Sequence, residues 1–184
     1  MDKKKLALKV EQLSIGARLS DLAVFMTDGE SSRVHKVYAV VEKLDPGVYL
    51  IGSGPYSQGV FSLMTDEVVI GRQATPLEQI LDLPVDIFVN DAATLTPREV
   101  SRVHCCIYRA QGTFQFDYFL FDRGSTCGTY LNAEKLDPPT NASEDEIRRV
   151  SRTLSPGDVI SLGPSGINTF VFADLRTSER NVGN

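Results

Sequence analysis

Cysteine is scarce in this chain of 184 residues: Cys105, Cys106 and Cys127 are the only three, and two of them are adjacent. Adjacent cysteines rarely pair with each other, and an odd count leaves a thiol over. This argues against a disulfide-stapled secreted scaffold and for a reducing compartment. Histidine is scarcer still, with His35 and His104 only, and there is no C-x-x-C pair. Zinc-type ligation therefore lacks its donors, and neither a metal nor a cofactor is expected. No apolar run approaches the roughly 20 residues needed to cross a bilayer, so no membrane association is expected. The basic start, Lys3-Lys4-Lys5, is soon followed by Lys9 and Glu11, which argues against a cleavable signal peptide. A cytoplasmic protein is the expectation. A surplus of positive charge is also missing: 19 Lys and Arg stand against 24 Asp and Glu, a formal net charge of −5. Long nucleic acids, whose binding needs many cations, are not expected partners.

Complete catalytic sets are missing too. There is no G-x-S-x-G, no H-E-x-x-H and no dinucleotide loop. Gly54 to Gly59 has the glycine spacing of a phosphate loop, but Val60-Phe61 follows where Lys and Ser or Thr are required, so a hairpin loop is expected. His104 precedes Cys105, yet neighbours on a strand face opposite ways. Cys105 and Cys106 lie in the apolar run 103–108, where buried structural thiols are ordinary. No enzyme and no catalytic residue is expected.

What is present is a globular composition, 42% apolar and 23% charged, at a length suited to one domain with an appended segment. Residues 1–44 form an extension of uncertain structure. Within residues 3–26 a period of two competes with a helical stripe of Leu6, Val10, Leu13 and Ala17. The β-formers Val37, Tyr38, Val40 and Val41 suggest a strand over Val34–Leu44. From residue 45 to 175 short strands recur: Val48–Gly52, Val60–Met64, Val68–Ile70, Asp86–Val89, His104–Arg109, Phe114–Phe121, Thr129–Leu131, Val159–Leu162 and Thr169–Ala173. Gly, Pro, Asp and Asn punctuate them, which suggests an all-β sandwich. Two inserts interrupt the series. Residues 76–83 suit one or two helical turns. Ser143, with Glu146 three residues on, has the form of a capping box opening a short helix. Residues 176–184 read as a flexible tail.

Four ordered blocks fall at strand ends. They are Gly71-Arg72, then Ser101-Arg102-Val103-His104, then residues 122–132 (DRGSTCGTYLN), then residues 154–163 (LSPGDVISLG). Guanidinium groups, hydroxyls and glycine N–H groups in loops at one end of a sandwich can converge on an anion. These blocks resemble the forkhead-associated (FHA) domain, a phosphothreonine-peptide reader. The resemblance implies a β-sandwich of about eleven strands with no catalytic activity. Its partner would be a threonine-phosphorylated protein, such as a Ser/Thr kinase or its substrate, and the chain would be a signalling adaptor.

By that resemblance Arg72 is the phosphate-binding arginine and Ser101 the hydroxyl donor to phosphate. Arg102 contacts phosphate or peptide backbone, and Thr126 lines the phosphothreonine pocket. His104 braces the loops, while Gly71, Gly128 and Thr129 are architectural. Gly157-Asp158 is the turn before a late strand. The chief departure is Cys127, where the family usually carries an asparagine that grips the peptide main chain. A thiol is a weak donor and weak acceptor, so the change would cost about 1–3 kcal/mol of binding. The alternative reading is a degenerate FHA scaffold that makes phosphorylation-independent protein contacts. A second departure is the 28-residue separation of Arg72 from Ser101, where residues 94–99 form either a peptide-selecting rim or a solvated loop. Ser32-Arg33-Val34-His35 also echoes residues 101–104, as coincidence or as a decayed duplication. The oligomeric state is open.

Overall fold

The structure, a computed structural model, describes residues 37–54, 57, 59–72, 85–89, 99–113 and 115–176. Strands β1 (Val48–Gly52), β2 (Gly59–Ser62), β3 (Glu67–Arg72), β4 (Ile87–Val89), β5 (Cys105–Gln111) and β6 (Phe116–Asp122) come first. They are followed by β7 (Thr129–Leu131), β8 (Glu134–Lys135), helix α1 (Glu144–Val150), β9 (Arg152–Thr153), β10 (Val159–Leu162) and β11 (Thr169–Asp174). One sheet has the order β2-β1-β11-β10-β7-β8, and the other β4-β3-β5-β6-β9. Only the β3–β4 pairing among these is parallel. The expected all-β sandwich is therefore the fold. No helix among the described residues is long and apolar enough to cross a membrane.

The period of two decides what each face buries. Ile107 and Leu120, cross-strand partners on β5 and β6, point between the sheets with Leu50, Ile70, Ile160, Leu162, Phe170 and Phe172. Each such side chain contributes about 1.5–3 kcal/mol by leaving water. Cys106 and Phe121, one step along, face outward and are covered by Ile147 and Val150 of α1. The Ser143 hydroxyl accepts the Glu146 N–H at 3.3 Å, as a cap should. The reciprocal half of the capping box is absent. Glu146 instead accepts from Arg149 (2.8 Å) and the Thr140 hydroxyl (2.9 Å), while the Ser143 N–H donates to Asn141. The Arg149 guanidinium and the Thr140 donors hold the Glu146 carboxyl down to about 2.

The strand expected over Val34–Leu44 is corrected: residues 37–41 are helical. Val37 and Val41, four apart, form one stripe that packs with Val40 on Ile51, Val159, Val171 and Ala173, the outer face of the first sheet. Burial of that stripe overrides the mild β preference of valine. Strands β8 and β9 were not foreseen, because two exposed residues carry no alternation to read. The competing periods in residues 3–26, the echo at 32–35, the helical turns in 76–83, residues 94–98 of the rim and the tail from 177 on all lie outside the described residues.

Late turns follow their residue chemistry. Ser155-Pro156-Gly157-Asp158 closes with Asp158 N–H on Ser155 C=O (2.9 Å), with Gly157 at φ 93°, as a type II turn requires. Asp158 then accepts from the Ser155 N–H (2.7 Å) and the Asn132 amide (3.0 Å), tying this turn to the β7–β8 hairpin. The two hairpin residues, Asn132 (φ 52°) and Ala133 (φ 71°), both have positive φ, the pattern of a type I′ turn. Alanine is strained there, so Ala133→Gly should stabilise the protein by about 0.5–1 kcal/mol, net of the added freedom of the unfolded chain. A higher urea midpoint at unchanged slope would show it.

Candidate functional site

Strand pairing brings the sequence blocks to one end of the sandwich. Ile70 pairs with Cys105 and Cys105 with Asp122, so β3 ends, β5 begins and β6 ends side by side. The chain before β5 is zipped to β3: Arg72 N–H donates to Ser101 C=O (3.0 Å) and His104 N–H to Ile70 C=O (2.9 Å). Gly71 makes this possible. A Cβ there would lie 2.0 Å from the Arg102 carbonyl oxygen, so any side chain would push the two segments apart. Arg72, at the strand end, is half-buried, and Arg102 is exposed.

The His104 side chain is wholly buried and joins two loops. Its Nδ1 accepts the Ser101 N–H at 3.0 Å, so the ring proton resides on Nε2, which donates to Gly128 C=O at 3.1 Å. Burial holds the imidazole below its ordinary 6.5, against the raising influence of the Gly128 carbonyl and the Asp122 carboxylate. The neutral ring is the form this geometry needs, because a charged ring would lose its acceptor.

Asp122 organises the β6–β7 loop, and sequence reasoning gave it no role. Its buried carboxylate accepts from Ser125 N–H (2.7 Å), Ser125 Oγ (2.6 Å) and Thr129 Oγ1 (2.6 Å). The Ser125 hydroxyl in turn accepts Gly128 N–H at 2.9 Å. A carboxylate reaching the N–H three residues on is a local alternative to helix or strand, and the D-x-x-S spacing was its legible signal. Thr129, wholly buried, is thus a partner of Asp122, and Gly128 at φ 88° supplies the left-handed turn.

These supports leave three sequence-predicted residues at the surface, two of them joined. The exposed Thr126 donates its N–H to Ser101 Oγ at 3.0 Å. Among the described residues the Ser101 proton reaches only Thr126 Oγ1 at 3.5 Å, a weak contact that a closer anionic oxygen would displace. Cys127 is a half-buried free thiol beside them. Arg72, Ser101, Arg102, Thr126 and Cys127 are therefore assembled at one end, with guanidinium groups and hydroxyl donors suited to an oxyanion. A third loop adjoins: Gly163 N–H donates to Gly128 C=O (2.9 Å), and Ser165 Oγ donates to Glu99. Sequence reasoning missed that Glu99 contact because its partner is 66 residues away.

Other features lack this chemistry. A cleft of about 1180 Å³ runs between the outer face of β5–β6 and α1, floored by Tyr108, Phe119 and Phe121. Its cations are neutralised: Arg109 by Asp66 (2.8 Å), Arg123 by Glu67 (3.3 Å) and Arg148 by Glu144 (3.5 Å). Burial pushes the thiols of Cys105 and Cys106 up, so neither is a thiolate nucleophile. Among the described residues no cluster of His, Cys, Asp or Glu could hold a metal ion.

Comparison with known proteins gives a family match: the FHA domain profile covers residues 68–163, just over half of the chain. No curated protein matches in sequence. Among solved structures, full-length yeast Pml1p is similar at 17% identity and a TM-score of 0.51, covering 75% of this chain and 91% of that one. The FHA domain of CT664 from Chlamydia trachomatis is similar at 20% identity and a TM-score of 0.44, covering 69% and 96%. The MEK1 FHA domain, solved with a phosphothreonine peptide of HOP1, is similar at 20% identity and a TM-score of 0.46, covering 71% and 98%.

His104→Ala should cost about 2–4 kcal/mol, since it leaves a cavity and orphans the Ser101 N–H. It should also alter the response to acid. Between the depressed folded value and 6.5 the unfolded chain binds a proton that the folded chain does not. His104 therefore makes stability fall as pH drops below 6.5, and its contribution is fully present above 6.5. Urea titrations at about pH 7.5 and about pH 5.5 should show a smaller difference in the variant than in the native chain.

Proposed function

The chain belongs to the FHA domain family, and on that premise we propose that it binds threonine-phosphorylated peptides through the loops at one end of the sandwich. The convergence of Arg72, Ser101 and Thr126 there supports the reading: β3 ends at Arg72, whose N–H holds the Ser101 carbonyl, and the Ser101 hydroxyl holds the Thr126 loop. A phosphorylated threonine carries about −1.5 to −2 charges and three strong acceptor oxygens. Arg72 supplies the charge-assisted contact, Ser101 and Thr126 the hydroxyl donors, and Arg102 a second cation. Nothing is transformed; the chain is a recognition module. Its partner is a threonine-phosphorylated protein, a Ser/Thr kinase or a kinase substrate, met as a signalling adaptor in the cytoplasm.

Cys127 motivates a second reading, a scaffold that binds protein without phosphate. The thiol offers neither the two donors nor the strong acceptor of an amide.

Titration of a phosphothreonine peptide library against its unphosphorylated counterparts separates the two readings. Binding should require the phosphate, and Arg72→Ala should weaken it by about 1.5–3 kcal/mol, roughly tenfold to 150-fold. Equal affinity with and without phosphate would overturn the first reading. Cys127→Asn should tighten phosphopeptide binding by about tenfold to a hundredfold, and would do little on a phosphate-independent scaffold.

A further inference from the structure

The loop that carries Thr126 and Cys127 has a cation laid across it that comes from a different strand. Lys135 on β8 pairs cross-strand with Tyr130 on β7. Leu131, next along β7, packs into the core, so Tyr130 and Lys135 lie on the outer face of the sheet. From there the lysine stem runs back over Gly128. A Cβ built at Gly128 would stand 2.3 Å from Lys135 Cε and 3.2 Å from Nζ. The glycine required by the loop's positive φ thus also provides the trough in which the stem lies.

Charge accounting among the described residues leaves this lysine, like Arg102, uncompensated. Arg123, in the same loop, is paired with Glu67, and the cations around the lateral cleft are paired likewise. Lys135 is exposed and forms no ion pair among the described residues. Its stem packs on Gly128, the residue after Cys127 in the loop that also carries Thr126. On the phosphopeptide reading, a phosphothreonine held by Arg72, Ser101 and Thr126 brings the residues that flank it to this loop, which the Lys135 ammonium borders. On a chain of net charge −5, an uncompensated cation at this place favours an acidic neighbour over a basic one.

We propose that Lys135 is a specificity-determining residue, selecting phosphothreonine peptides that carry an acidic side chain beside the phosphorylated residue. This rests on the phosphopeptide reading above and adds the charge of the flanking sequence to it.

The test is a positional scan of phosphothreonine peptides in which each flanking position is Asp, Ala or Lys. The readout is the ratio of affinities within each protein, which a loss of folded protein does not move. The native chain should favour Asp over Ala at one flanking position by about twofold to fivefold, as an exposed ion pair does. Lys135→Met, which keeps the stem, should abolish that ratio. Lys135→Glu should invert it toward Lys, and Lys135→Arg should restore it. A native chain indifferent to flanking charge, or a Lys135→Met profile identical to the native one, would overturn the proposal while phosphopeptide binding stands. Failure of every phosphopeptide to bind the native chain would instead remove the underlying reading, and this inference with it.

Discussion

The carbonyl of Gly128 is where three loops meet. It accepts from the buried His104 ring at 3.1 Å and from Gly163 N–H at 2.9 Å, so both its lone pairs are used. The His104 ring carries the link onward, because its other nitrogen holds the Ser101 N–H. One buried neutral imidazole thereby fixes the segment before β5 relative to the β6–β7 loop. Either partner alone would leave a buried polar group unsatisfied, at a cost of about 1–3 kcal/mol. The position of the Ser101 and Thr126 hydroxyls follows from this junction, and so does the place where Lys135 comes to rest.

For an acidic chain, the proposed binding of a phosphate poses a local problem. Among the described residues Arg109, Arg123, Arg148, Arg149 and Arg176 each bond a nearby carboxylate on the flanks. The carboxylate within the site's own loop, Asp122, is buried and saturated by three hydrogen-bond donors. Its charge is spent on the scaffold, so it does not meet an incoming anion at the surface. Glu99, near the third loop, is likewise engaged by Ser165. The rest of the −5 then works for discrimination, since a long polyanion meets a repulsive surface that a single phosphate on a short peptide avoids.

Much of this architecture was legible in the sequence, for stated reasons. Strands with a buried face announce themselves by alternation, which is why β5 and β6 were placed within a residue or two at most ends. The D-x-x-S spacing and the glycines sat in plain view as blocks at strand ends. Contacts that join distant segments were not legible. Nothing local says that Glu99 meets Ser165, or that Lys135 crosses Gly128. The helical turn at 37–41 was misread because valine's preference for strands is weak, and burial against β1, β10 and β11 decided the matter.

The same division of labour bears on the departure at position 127. The hydrogen bonds that hold the β6–β7 loop use the side chains of Asp122, Ser125 and Thr129, the N–H of Thr126, and both backbone groups of Gly128. Among the described residues none uses the Cys127 side chain. On the proposed phosphopeptide reading, a thiol in place of an amide there would remove contacts to the ligand without loosening the loop. The groups proposed to face phosphate keep their geometry, because Ser101 and the Thr126 N–H are tied to each other and the Gly128 carbonyl is tied to His104 without the side chain at 127. Affinity for the peptide main chain and affinity for the phosphate are thus physically separable in this fold. A chain can lose the first and retain the second, with flanking charge left to restore selectivity.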